Sequence, residues 1–173
     1  HRSTLVGKTG TNDGYGVDAS FSFYQNVHME SYIARTRTDG KDGGDTSYRG
    51  LFDYNADKYG VQGERLEVGR NFNPEIGFVR RLDMRRNYAM ARYSPRPKGI
   101  PHVRKFWFQG SANYTTNTTN RLDTREFVGQ FQTEFTSSDI ALVSVTPHFE
   151  RLVAPFAITP AIKIPVGGYD YRT

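Results

Sequence analysis

The chain has 173 residues, with 23 Lys+Arg against 18 Asp+Glu, 17 Gly, 8 Pro and no Cys, which is one domain's worth of sequence with neither a disulfide framework nor a thiolate metal site. With 12 Phe, 11 Tyr and 1 Trp in a chain only 36% hydrophobic, the apolar surface is carried by rings, and no stretch nears the roughly 18 apolar residues of a spanning helix. The net charge of +5 permits an anionic partner, but the bases are interleaved with acids and no recognition helix or aromatic RNA-binding motif accompanies them, so nucleic acid is not expected.

Along the chain, segments of about ten residues alternate rings with small polar residues between clusters of Gly, Asn, Asp and Pro. This is the pattern of antiparallel strands joined by hairpins. The first is the clearest, with Val17, Ala19, Phe21 and Phe23 on one face and Asp18, Ser20, Ser22 and Tyr24 on the other. A break at Gln25-Asn26 leads into a partner over Val27 to Arg37, and Thr38 to Asp45 is a Gly- and Asp-rich loop. Strands are predicted over Ser47 to Tyr54 and Tyr59 to Val68, then Glu75 to Arg81 and Met84 to Tyr93, before Pro95 and Pro97 end the ladder. Val103 to Tyr114 and Thr124 to Phe135 make the next hairpin. Ile140 to Leu152 follows, and Ala157 to Ile164 is a last short extended piece. The expectation is an all-β domain spanning 1–173, an antiparallel meander of about nine or ten strands and no helix, in an open or incomplete barrel-like sheet.

Two settings fit this alternation. A membrane barrel needs strands of roughly 9 to 11 residues, apolar outward and polar inward, and Phe106 to Tyr114 and Phe127 to Phe135 comply. The charges of Tyr59 to Val68 and Met84 to Tyr93 fit less easily, because Arg or Lys facing lipid at mid-depth costs roughly 2 to 4 kcal/mol. A water-soluble sandwich or half-barrel with the ring face as its core is the alternative.

Candidate sites are few. Asp39, Asp42 and Asp45, separated by glycines, are the metal candidate, since oxygen ligands on a flexible loop suit calcium; the other reading is a solvated hairpin tip. Arg70, Arg80, Arg81, Arg85, Arg86 and Arg92 form the densest basic cluster, able to grip headgroup phosphates or an acidic partner, or else to pair across strands with Asp53, Glu64, Glu67, Glu75 and Asp83. Phe156, Ile158 and Ile162, set among prolines, read as an edge strand or a docking segment for another chain. Asp18 and Glu30 could face one another across the first hairpin. The four histidines have no metal-ligand spacing, and no hydrolase elbow or phosphate loop is present. No catalytic residue and no cofactor beyond possible calcium is expected.

The segment Val68-Gly69-Arg70-Asn71-Phe72-Asn73-Pro74-Glu75-Ile76-Gly77-Phe78-Val79-Arg80-Arg81 resembles a landmark of a family of bacterial envelope proteins. In these, a module similar to family-nine carbohydrate-binding modules precedes a long carboxy-terminal β domain of unknown function. Tyr48-Arg49, Asp53-Tyr54 to Tyr59-Gly60-Val61, Tyr93-Ser94-Pro95-Arg96-Pro97 and Ile164-Pro165-Val166-Gly167-Gly168-Tyr169-Asp170-Tyr171 resemble further landmarks in the same order. The resemblance implies an outer-membrane-type β domain of a Gram-negative envelope, in the outer membrane or on the periplasmic side of a membrane, with no catalytic residues to carry over. Carbohydrate would be bound only through the module this sequence lacks. With its opening His1-Arg2 and its stop short of the family's later strands, the chain reads as a fragment or processed part of a longer protein. A structural or binding role, with other protein subunits as partners, is the leading expectation. The alternatives are an accessory subunit stabilising a membrane complex from its periplasmic face and a carbohydrate-active envelope enzyme.

Overall fold

The computed structural model describes residues 2–4, 10–75 and 77–173, and the alternation of rings and polar residues becomes a succession of antiparallel strands. They are β1 (Arg2–Thr4), β2 (Thr11–Phe23), β3 (Val27–Thr38), β4 (Thr46–Asn55), β5 (Tyr59–Val68), β6 (Met84–Tyr93), β7 (Val103–Thr116), β8 (Leu122–Phe135), β9 (Ile140–Val145), β10 (Pro147–Leu152), β11 (Phe156–Thr159), β12 (Ile162–Ile164) and β13 (Gly167–Arg172). Among the described residues there is no helix.

Eleven strands form one sheet in which β1 to β8 follow in chain order, then β10 and β13. β9 pairs with Gly129–Glu134 of β8, and β10 takes over at Thr124–Glu126. The expected single strand from Ile140 to Leu152 is thus broken at Thr146–Pro147, where proline has no N–H for the ladder. The first and last strands of the sheet do not meet, so it stays open rather than closing into a barrel.

Short connections set the register. Between β2 and β3, Tyr24 and Gln25 have φ of 47° and 62°, the left-handed pair that a tight hairpin needs to match strand twist. The pairing that follows puts Val17 opposite Ile33 and Phe21 opposite Met29. The connections alternate between two ends of the sheet. The turn end carries residues 24–26, 56–58, 94–102 and 136–139; the loop end carries 39–45, 69–83 and 117–121.

Three expectations are corrected. Glu75 to Arg81 is no strand among its described residues (Ile76 lies outside them). The Gly77 N–H closes a turn on the Pro74 carbonyl at 2.9 Å, and Asn73 ties the segment down instead. Ala157 to Ile164 is a detached hairpin, β11 with β12, rather than an edge of the main sheet. The edge is β13, a strand the sequence reading left out.

Buried side chains gather at the loop end. Val68 and Phe72 are the buried hydrophobic residues among those described, accompanied by Asn12, Thr36 and Ser47. The Asn12 amide donates to Thr38 Oγ1 at 2.7 Å and to the Asn73 carbonyl at 2.8 Å, while the Asn73 N–H donates to Thr36 Oγ1 at 2.9 Å. Phe72 and Pro74 face Gly14, Gly16 and Ala34 across a small apolar cavity of about 210 Å³. The β5–β6 loop is therefore latched over β2 and β3. The Asn71 amide in turn donates to the Asp42 and Gly43 carbonyls at 3.1 and 2.7 Å. Gly69 is required there, since a Cβ would collide with the Gly44 carbonyl.

Candidate functional site

Residues opposite one another in an antiparallel pair point to the same side, so the register defines two faces across the sheet. One carries Val17, Ala19, Phe21 and Phe23 of β2, Met29 and Ile33 of β3, Tyr48, Phe52 and Tyr54 of β4, and Tyr59 and Val61 of β5. It continues through Ala89, Ala91 and Tyr93, then Phe106, Phe108, Ala112 and Tyr114, then Phe127 and Phe131, to Val143 and Val145. The other carries Asp18 and Ser20, His28 and Glu30, Arg49, Gln62 and Glu64, Arg86, Gln109 to Asn113 in alternation, and Gln130.

The apolar face is uncovered: Val17 and Val143 are each 65% exposed, Ile33 53% and Phe21 52%. Element contacts run between sheet neighbours, with no second layer among the described residues, so a sandwich with the rings as its core is not what forms. The rings pack sideways instead, with Tyr59 on Tyr93 at 5.4 Å and Phe108 on Phe131 at 5.0 Å between centroids.

The polar face holds an ion ladder across five strands. Arg49 bonds Glu30 at 2.8 Å and Glu64 at 2.7 Å, and Arg86 bonds Glu64 at 3.1 Å and Asn113 at 3.0 Å. His28 lies 2.9 Å from Glu30. Each guanidinium bridges two acceptors on different strands, so signs alternate and neither acid is left facing another. Glu30 stands opposite Ser20, and Asp18 opposite Tyr32, so the suggested pairing of Asp18 with Glu30 gives way to the arginine.

At the turn end the same face closes around three cations. Arg92, only 8% exposed, donates to the Ala56 carbonyl and Ser94 Oγ at 2.6 Å each and to Asn55 Oδ1 at 2.8 Å. The equally buried Lys105 reaches Asp57 at 2.7 Å, and the Arg96 fork meets the same carboxylate at 3.0 and 2.9 Å. Arg92 and Lys105 flank the Trp107 ring at 4.6 and 4.3 Å.

Arg96, and then Lys105, hold the Asp57 carboxyl well below its ordinary range. A carboxyl depressed in the folded state stabilises it above the unfolded pKa of about 3.9, and that contribution is lost as pH falls further toward the folded value. Acid titration of folded protein should therefore show a loss of stability setting in below about pH 4. Asp57→Asn should remove part of that loss in urea melts while costing stability at neutral pH; parallel curves for variant and parent would sink the assignment.

The residues singled out by sequence are distributed differently from the grouping expected. Asp39 accepts from the Thr11 N–H at 2.7 Å, Asp45 pairs with Arg35 at 2.9 Å, and the Asp42 carbonyl takes Asn71. All three residues line one open pocket of the loop, but no group of three potential metal ligands occurs among the described residues. The arginine cluster is dispersed. Arg86 and Arg92 are on the polar face and Arg85 is on the apolar face, 2.8 Å from Glu67. Arg70, Arg80 and Arg81 belong to the β5–β6 loop, Arg81 reaching Asp123 at 2.7 Å. The cross-strand pairing reading thus holds for Glu64 and Glu67. Phe156, Ile158 and Ile162 are all more than half exposed on the detached hairpin. Sequence reasoning missed the Glu30–Arg49–Glu64 ladder and the Asp57–Lys105 pair. The available signal was parity, since Arg49 and Glu64 fall out of step with the ring positions of their strands.

Searches against protein-family models, curated proteins and solved structures return no match to this chain.

Proposed function

We propose that this sheet is a membrane-embedded sector of a β-barrel in a Gram-negative envelope, a non-enzymatic structural element whose apolar face meets lipid and whose polar face looks inward. The observation that carries it is the single uncovered apolar face running unbroken from β2 to β9. Contiguous apolar surface on that scale in water is an aggregation hazard, whereas lipid is its natural solvent. On β2 it runs from Tyr15 to Phe23, and nine residues rising about 3.4 Å each, tilted by about 40°, cover roughly 23 Å, against the roughly 25 Å apolar band of such barrels.

Of the charges of β5 and β6, Glu64, Arg86 and Arg92 lie on the polar face, while Arg65, Glu67 and Arg85 share the apolar face on the loop-end side of Val61 and Ala89, where the apolar stretch of these two strands is shorter than that of β2. The polar carboxylates are spent on guanidinium groups rather than poised for acid–base work, which favours a structural role over an enzyme. The resemblance to envelope β domains points the same way.

A second reading has its own support. The Tyr15–Phe23 stretch of β2 and the outer side of β9 are sheet edges among the described residues, and lipid tolerates no unpaired edge. Strands supplied by another subunit would satisfy them, with the Phe156–Ile164 hairpin as a further contact. The deciding experiment is gentle detergent extraction of native membranes, with size exclusion, mass spectrometry and unheated gel mobility. Detergent dependence with heat-modifiable mobility supports the barrel sector. Fixed co-purification with other membrane proteins supports the subunit, and recovery in the aqueous fraction alone overturns both.

A further inference from the structure

We infer that the loop-end margin of the apolar face is a contact site for net-anionic, phosphate-bearing lipid headgroups, so that this end of the sheet lies in the more anionic leaflet; the inference rests on the membrane reading above. The margin is built from Arg35 and Arg37 of β3, Arg65 of β5, Arg85 of β6, Arg125 of β8 and Arg151 of β10, all placed on the apolar side by the register. All lie on the loop-end side of the apolar outward residues of their strands, Arg65 and Arg85 by four positions from Val61 and Ala89. Arg35 follows Ile33 by two positions, and Arg125 precedes Phe127 by two.

Arg65, Asn87, Tyr114 and Arg125 are level with one another from β5 to β8, and Arg65 is level through Gly50 with Ser31, so the row steps outward by four residues to Arg35 on β3.

The chemistry fits phosphate. Side chains of Arg35, Arg65 and Arg125 are 55%, 45% and 38% exposed. Carboxylates stand among them: Asp45 on Arg35 at 2.9 Å, Glu67 between Arg65 at 3.4 Å and Arg85 at 2.8 Å, Asp170 on Arg125 at 3.1 Å, and Asp13 opposite Arg37. A guanidinium carries five donors in a fork, and these pairs leave it more with which to meet phosphate oxygens, the geometry that makes arginine the usual phosphate reader. The acids also hold the forks at a fixed height.

The opposite margin is built differently, from Phe23, Tyr54, Tyr59, Tyr93 and Phe106, with Lys58 laid over Tyr59 and Tyr93 at 5.4 and 5.6 Å. The longest connection, 69–83, is at the arginine end, while the aromatic end carries the three-residue turns 24–26 and 56–58 along with the nine-residue 94–102; in outer-membrane barrels the longer loops mark the outer surface.

The test uses the full chain with phosphatidylcholine vesicles and with vesicles containing phosphatidylglycerol. Insertion should be at least tenfold tighter into the anionic vesicles at low salt, and the preference should collapse at high salt. At about fivefold per arginine, the triple change of Arg35, Arg65 and Arg125 to Gln should erase the preference while leaving insertion into neutral vesicles. Changing Lys58 and Arg104, the latter paired with Glu134 at 2.6 Å at the start of β7 on the aromatic end, to Gln should leave the preference largely intact. Inorganic phosphate at matched concentration should compete poorly, since the proposed ligand is a headgroup layer. A salt-insensitive preference in the parent chain, a triple variant that keeps it, or an equal loss in the Lys58/Arg104 control would each overturn the inference. Failure to enter even neutral vesicles would instead strike the membrane reading.

Discussion

Ala91→Arg should lower the unfolding free energy of the bilayer-inserted protein by about 2–4 kcal/mol, and Met90→Arg, one residue away, should change it by less than about 1 kcal/mol. Ala91 lies on the apolar face in the row of Val61, Gly110 and Gly129, two positions from the aromatic margin at Tyr93 and four from the level of Arg65. A guanidinium there would enter the apolar band. Met90 is opposite Gln62 and Ser111 on the polar face, where an added charge keeps its water and gains polar neighbours. Urea unfolding in vesicles, followed by the fluorescence of Trp107, measures both. Equal effects at the two positions would mean that the faces are not distinguished by their solvent, and the lipid assignment would fall.

The second large effect is expected at the turn end, where Arg92→Ala should cost about 2–4 kcal/mol. The guanidinium ties the Ala56 carbonyl, Asn55 Oδ1 and Ser94 Oγ into one cluster, joining the β4–β5 turn to the end of β6. Its removal takes the donor from the buried Ser94 Oγ and from the part-buried contacts to Ala56 and Asn55, and hydrogen bonds to charged groups are worth roughly 1.5–3 kcal/mol each before compensation by water. Gly60 lies directly beneath it, and a Cβ there would come within 2.9 Å of Arg92 Nε. Gly60→Ala should therefore reproduce part of the loss by displacing the same side chain, and Arg92→Lys should recover little, because one ammonium cannot reach three acceptors spread over a fork. Denaturant melts in detergent micelles check the series. A loss below about 1 kcal/mol for Arg92→Ala would show that water replaces the cluster, contrary to its burial.

Much of the architecture was legible beforehand because a strand has a side-chain period of two. In Val17 to Phe23 and again in Phe106 to Tyr114, parity alone separates rings from polar residues, and a meander with short connections inherits that separation from strand to strand. Parity also held the answer for the faces of the charges of β5 and β6, but not for their heights along the apolar face. Arg65 and Glu67 keep the parity of Val61 and differ from it only in height. Local spacing misled in two places. Glu75 to Arg81 carries apolar residues at strand-like spacing, yet Pro74 and the latch through Asn73 hold it as a loop. Gly167 to Arg172 has two glycines at its start and no clear alternation to mark a strand, and it is β10 that supplies its ladder.

Strand content, the all-β class and the two-faced character were determined by the sequence by itself, because they follow from local alternation and from where Gly, Pro and Asp interrupt it. Which charge meets which was decided by the tertiary structure alone. Arg49 reaches both Glu30 and Glu64 through diagonal contacts between strands, and Asp39 and Asp45 are engaged by Thr11 and Arg35. Those outcomes depend on register accumulated over successive turns. A shift of one residue in any of them exchanges the faces and every partner, which is why no pattern within a single strand could reveal them.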